Sequence, residues 1–205
     1  MPVSSTSYSG AVVALAGRRI DPEPTLTPRF PFDQVDRVRV EITDQLSHSH
    51  AVALVCSAAC GADLIALDTA QKMRLRTRII LPFSAAQFRK TSVVDRPRPE
   101  FWGGIFDLVV SNARAHGDVI ELDMAESDEA YSTANAMVID EARKLADIEE
   151  RPSNGVLALV AILVWEGAPR GDDDNTKKFA KLARDTGFRV EQVLTLNAPP
   201  ESACQ

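Results

Sequence analysis

Apolar bursts alternate with helical-period stretches from one end of this chain to the other, and that alternation restricts the fold more than any other feature. Residues 11–16 (AVVALA) form a short apolar run ended by Gly17, which predicts a first strand. A proline-rich loop follows (Pro22, Pro24, Pro28, Pro31), and then Val35, Val38, Ile42 and Leu46 recur at helical spacing. Residues 51–56 predict a second strand, 61–73 a helix with Ile65, Ala66, Thr69 and Met73 on one face, and 77–81 a third strand stopped by Pro82. A short helix over 85–90, a longer one over 100–115 and a short strand at 119–122 come next. The longest helical segment, 129–149, is closed off by Arg151-Pro152. Residues 156–164 are continuously apolar, as a strand covered on both faces should be. A helix over 176–185, stopped by Gly187, and a strand over 189–194 complete the series.

Such alternation implies right-handed crossovers, and so an α/β fold: a Rossmann-like, doubly wound, mostly parallel sheet with helices on both faces. With no internal repeat, low-complexity tract or linker, the expectation is one domain over 11–196, a flexible N-terminus over 1–10 and a flexible tail over 197–205. The net charge of -6, with basic residues dispersed as at Arg37, Arg39 and Lys177-Lys178, argues against a protein that grips nucleic acid by its phosphates. The longest apolar run, 156–165, is far shorter than the roughly 20 residues of a membrane-spanning helix. Met1–Gly10 has no basic region followed by an apolar stretch, so no signal peptide is read there. Cys56, Cys60 and Cys204 are too few and too irregular for a disulfide framework, and the first two read as buried thiols. A reducing, cytoplasmic setting is the expectation.

In open parallel sheets ligands lie outside the carboxyl ends of the strands, where helix N-termini present free N–H groups. The residues after each apolar run therefore carry the most weight: Gly17-Arg18-Arg19, then 57–63 (SAACGAD), then Pro82-Phe83-Ser84, then 165–176 (WEGAPRGDDDNT). Small residues before a glycine at a strand-to-helix turn let a backbone approach a ligand closely; they equally permit tight helix–sheet packing. Arg18 and Arg19 offer guanidinium groups to phosphate, or serve as solvated loop charges. Asp172, Asp173 and Asp174 favour a helix start through its dipole, by about 0.3–1 kcal/mol each when exposed, and repel a bare phosphate. That loop suits ribose hydroxyls, a cationic group or a phosphate bridged by Mg²⁺; it also reads as an acidic cap with no ligand.

Gly17-Arg18-Arg19-Ile20-Asp21, Ala59-Cys60-Gly61-Ala62-Asp63, Leu81-Pro82-Phe83 with Phe88-Arg89-Lys90-Thr91-Ser92-Val93, and Trp165-Glu166-Gly167 resemble, in order and wording, the SLOG superfamily. This is the Rossmann-like set related to the LOG and DprA proteins, and the likeness runs over residues 12–193. The chain is most similar to members found alone or beside TIR, cyclase or tetratricopeptide modules, which are taken to sense nucleotide-derived ligands in bacterial-type signalling or defence. The resemblance implies a ligand site drawn from Gly17, Arg18, Arg19, Ser57, Ala58, Cys60, Gly61, Ala62, Asp63, Pro82, Phe83, Arg89, Trp165, Glu166 and Gly167, with Tyr131 and Asn135 from the helix before the last long strand. Gly171, Asp172, Asn175 and Thr176 are drawn from the loop in which the family usually has a Gly-Gly-Thr turn; here the turn reads Asp174-Asn175-Thr176, preceded by Asp172 and Asp173.

The Pro-Gly-Gly-x-Gly-Thr-x-x-Glu signature of LOG-type phosphoribohydrolases is missing: Lys177, Lys178 and Phe179 follow Thr176. Glu166 and Asp63 remain as candidate catalytic carboxylates for a ribosyl oxocarbenium centre. His48 and His50 lack a third metal ligand nearby, and His116 sits at a helix end where the dipole favours it. Neither a Gly-x-Ser-x-Gly elbow nor a Walker A sequence is present, and Gly-x-Gly-x-x-Gly does not follow the first strand. Phe101, Trp102 and Phe106 read as core or subunit contact. The leading expectation is binding or sensing of a nucleotide, nucleotide sugar or NAD-derived signal, phosphate on the 57–63 amides and Arg18 or Arg19, ribose near Glu166. The rivals are cleavage or transfer of an N-ribosyl bond by Glu166 or Asp63, and a non-catalytic assembly module. A homo-oligomer and a signalling or effector partner are expected, Mg²⁺ is a candidate only in company with the nucleotide, and no metal site of the protein's own is assigned.

Overall fold

The computed structural model describes residues 8–149, 156–171 and 173–197. In chain order the elements are β1 (Tyr8–Gly17), a 3-10 turn (Phe32–Gln34), α1 (Val35–His48), β2 (Ala51–Cys56), α2 (Ala62–Lys72), β3 (Arg76–Leu81), α3 (Ala85–Ser92), α4 (Pro99–Ala115), β4 (Val119–Glu121), α5 (Asp128–Glu149), β5 (Val156–Trp165), α6 (Asn175–Asp185) and β6 (Arg189–Leu194). All six strands are parallel, in the order β4-β3-β2-β1-β5-β6. This is an α/β, Rossmann-like doubly wound fold.

Burial on both faces explains the apolar runs. Along β1 the side chains alternate between two cores: Ala11, Val13 and Leu15 pack with α1, α2 and α4, whereas Val12, Ala14 and Ala16 pack with α5 and α6. The chain steps outward from β1 to β4 with helices on the first face, returns through α5 across the second, and steps the other way to β6. A single hand of crossover demands that change of face when the direction reverses. The expected flexible N-terminus is corrected in part: Tyr8 aligns with Val156 and Gly10 with Leu157, so the strand begins three residues before Ala11. Residues 1–7 and 198–205 lie outside the described residues.

Two contacts hold helices to the sheet, one at its carboxyl edge and one toward its amino edge. Gly17 ends β1 where α2 and β5 both press in: a Cβ there would lie 2.4 Å from the Ala62 Cβ and 2.7 Å from the Val164 carbonyl oxygen. On the other side of the sheet α5 is tied to β3 by Arg78, which donates to Glu141 Oε2 at 2.8 Å and to Asp118 Oδ1 at 2.8 Å. Gly17→Ala is expected to lower unfolding free energy by about 1–3 kcal/mol, the range for an overpacked core. Denaturant melts would show it, and an unchanged midpoint would mean the edge yields more easily than this packing implies.

Candidate functional site

Strand order turns over between β1 and β5: β1 leads to β2 on one side, β5 to β6 on the other. The loops after these strands diverge and leave a crevice, the usual ligand position in open α/β sheets. A cavity of about 360 Å³ fills it. Of the residues expected from sequence, Gly17, Arg18, Arg19, Ser57, Asp63, Tyr131, Asn135, Asn175 and Thr176 line its wall.

Arg18 does not have the role expected of it. Only 3% exposed, it spends its guanidinium on the protein itself. Nε donates to Glu166 Oε2 at 2.6 Å, Nη1 to Asp174 Oδ1 at 3.0 Å and Thr176 Oγ1 at 3.2 Å, and Nη2 to Asp174 Oδ2 at 2.7 Å and to Glu166 Oε1 and Ala168 O, each at 3.2 Å. Six contacts share its five N–H donors, so none is left for phosphate. Glu166 is taken up in turn by Arg18 and by Arg29 from the proline-rich loop. Asp174 caps α6, accepting from Thr176 N at 2.8 Å and Lys177 N at 3.2 Å. Burial would raise its pKa, but the hydrogen bonds from Arg18 and the backbone outweigh that and hold the carboxyl well below the usual range. Asp172 lies outside the described residues.

The 57–63 turn is likewise occupied by its own chain. Cys60 N donates to Ser92 O at 3.0 Å, Ala62 N to Arg18 O at 3.1 Å and Ala59 N to Asp63 Oδ2 at 3.2 Å. Gly61 has φ +107°, and a Cβ on it would sit 2.7 Å from the Arg18 carbonyl oxygen. Its glycine serves a close approach to the β1 loop, with which Arg19 and Gly61 form an isolated bridge. Ala58, Cys60 and Ala62 are buried. Phe83 packs edge-on against Tyr131, and Pro82 supplies its carbonyl to Met124 N at 3.0 Å. Arg89 points elsewhere, in a bidentate pair with Asp107 on α4. Trp165 donates to Gln192 Oε1 at 2.8 Å, and Gly167 and Gly171 are turn residues with φ +88° and +137°. Ala58, Cys60, Gly61, Ala62, Pro82, Phe83, Arg89, Trp165, Gly167 and Gly171 are not among the residues of the cavity wall.

Sequence reasoning missed Arg29, Ser92, Arg96, Asp128 and Arg170 as wall residues. Arg29 is folded back by Asp21, whose Oδ2 accepts from Arg29 N at 2.8 Å and Phe30 N at 2.9 Å. Arg96 belongs to an Arg-Pro-Arg-Pro run ahead of α4, where paired prolines holding a basic loop rigid were the one available signal. Arg19 and Arg96 converge on Asp95, the first by hydrogen bond and the second at 3.9 Å. Both Nε atoms are buried with no hydrogen-bond partner among the described residues. A buried N–H without an acceptor costs about 1–3 kcal/mol.

Asp63 is the unusual acid of the wall. Burial pushes its pKa from 3.8 up to about 7, against the Ala59 N–H and the Arg19 charge, which pull it down. Among the described residues no group of three or more His, Cys, Asp and Glu side chains could hold a metal ion, and no helix is long and apolar enough to cross a membrane. No family model matches the chain, and no curated protein matches it.

Arg18→Met should cost about 3–5 kcal/mol, because Glu166 and Asp174 then stay buried without their partner; a loss under about 1 kcal/mol by chemical denaturation would refute the clamp. Asp63 gives a pH test. Between its unfolded value near 4 and its folded value near 7 the native state holds a proton that the unfolded state has released, so this group's contribution to stability falls as pH rises through that window. Asp63→Asn removes the loss while keeping the acceptor for Ala59 N–H. Its melting temperature should exceed the parent's at pH 8 and converge with it below about pH 4; parallel pH profiles would contradict the assignment.

Proposed function

We propose that this chain is a SLOG-like domain that binds a nucleotide-derived small molecule in the crevice beside β1 and β5. The observation that carries the reading is the gathering of Arg19, Arg96 and Arg170 in the wall of one cavity at the switch point of the sheet. A phosphoryl group supplies acceptors for their N–H groups, and guanidinium groups are the side chains best suited to it. The phosphate is thereby assigned to Arg19 and Arg96 rather than to Arg18 and the 57–63 amides, with Arg170 and Arg29 adding positive charge nearby. Asp128 and Asn135 are placed to meet ribose hydroxyls, and Tyr131 and Phe88 give aromatic surface for a base. A volume of about 360 Å³ lies at the lower end of small-molecule sites and suits one nucleotide unit.

A second reading, cleavage or transfer of an N-ribosyl bond, has support from Asp63. A carboxyl with a pKa near 7 in a cavity wall is poised for proton transfer at neutral pH. Glu166, held between two arginines, is not.

Incubation with nucleoside monophosphates, dinucleotides, NAD-derived cyclic nucleotides and unphosphorylated nucleosides, read by melting shift and by released base, tests both. Phosphorylated compounds should raise the melting temperature and bare nucleosides should not. Arg96→Gln and Arg19→Gln should each weaken binding by about 10-fold or more, the value of a charge-assisted hydrogen bond. Base release that disappears in Asp63→Asn selects the enzyme. Silence from every compound removes the ligand reading and leaves the assembly module.

A further inference from the structure

Helix α4 presents an outer face that its own domain covers only in part, at Phe101, which packs edge-on against Phe32 and Trp102. Trp102, Gly103, Phe106, Val109, Val110 and Ala113 point inward and are buried. The opposite face carries Phe101, Gly104, Leu108, Ser111 and Ala115, all exposed, at alternating spacings of three and four. Phe101 is 43% and Leu108 57% exposed, and a Cβ on Gly104 would meet no atom within 4 Å. Spacing of three and four is the seam of a helix pair. Along one flank runs a charged row at seven-residue intervals: Glu100, Asp107 and Arg114.

We propose that this face pairs with the same face of a second copy, α4 against α4, antiparallel about a two-fold axis through Leu108. Charge and size select both the occupant and the direction. The antiparallel arrangement sets the large Phe101 against the partner's Ala115, Gly104 against the partner's Ser111 or Asn112, and Leu108 against its own mate. It also sets Glu100 beside the partner's Arg114 at both ends, because residues of one flank meet each other in antiparallel helix pairs. Asp107 would face its own mate near the axis, and its charge is already answered by the bidentate pair with Arg89. Arg114 reaches Glu121 within its own chain yet remains 58% exposed, so it can still meet an acid from outside. A parallel pair would put Phe101 on Phe101 and the helix dipoles in the same sense, both unfavourable, and would set the Glu100–Arg114 row against the partner's uncharged flank, where no ion pair forms. A single two-fold axis makes the contact closed and isologous.

The stripe from Phe101 to Ala115 is about 21 Å long at 1.5 Å per residue, so the interface is small and the dimer should be in rapid, micromolar equilibrium. Sedimentation velocity of the full chain over about 5–200 µM reads it directly. The expected result is a concentration-dependent shift from monomer to dimer. Leu108→Glu, at an exposed position, should abolish the shift without lowering the melting temperature. Glu100→Arg and Arg114→Glu should each weaken the dimer by several-fold, and the double reversal should restore it, since opposite charges then face each other again. A monomer throughout the range overturns the proposal, as does a dimer that survives Leu108→Glu. A dimer lost in Leu108→Glu but indifferent to both charge reversals overturns the antiparallel register. None of these outcomes depends on the nucleotide reading.

Discussion

Arg18 is the interaction on which the carboxyl edge of the sheet depends. It leaves β1, is almost wholly buried, and gives all five N–H donors to groups that follow β5 some 150 residues later in sequence. Arg18 N also donates to Val164 O at 2.8 Å, and its carbonyl receives Ala62 N, so backbone and side chain fasten β1, α2, β5 and α6 at one point. A buried ion pair of this kind is weak as a source of net stability, because desolvation cancels much of the attraction. Its strength is as a specifier: any other register of β5 against β1 would strand three charges in the interior. The crevice has a fixed shape because the residue that closes its floor has no alternative partner.

That arrangement changes what chemistry the edge can perform. With Arg18 and Arg29 neutralising Glu166 and Asp174, the outer wall belongs to Arg19, Arg96 and Arg170 against Asp21, Asp63 and Asp128. Simple addition of charges does not decide between an anionic and a cationic ligand. The hydrogen bonds say more: Asp21 accepts two backbone N–H groups and Asp63 accepts one, so two of the three acids are already engaged by the chain itself.

The alternation of apolar runs carried the fold almost completely. Residues 51–56 and 189–194 coincide with β2 and β6, and the other elements differ only at their ends, because a strand buried on both faces leaves an uninterrupted apolar signature. The site was legible at a coarser level: which edge and which loops, but not which atoms. Arg18 and Arg19 are adjacent in sequence and chemically identical, yet one forms the floor of the crevice with every donor spent on the chain and the other lines its wall beside Asp95. The choice is made by Glu166 and Asp174, whose approach depends on strand order, and periodicity contains no information about strand order. Gly61 failed for a related reason. A glycine after small residues signals a close backbone approach, and that signal is the same whether the approaching group is a phosphate or, as here, the carbonyl of Arg18.

Asp63 shows how a site residue can matter without reaching for a ligand through charge. Sitting in the first turn of α2, it accepts the Ala59 amide and so closes the very turn whose amides a phosphate would otherwise need. Burial then holds the carboxyl in part as the neutral acid at pH 7, and a neutral acid beside Arg19 subtracts little from the positive potential of the wall. An anion arriving at Arg19 and Arg96 would raise the cost of ionising Asp63 further and draw a proton onto it. Turn closure and a carboxyl that is partly neutral at pH 7 are therefore two consequences of one burial, and under the proposed anion-binding function they make affinity fall as pH rises past neutrality.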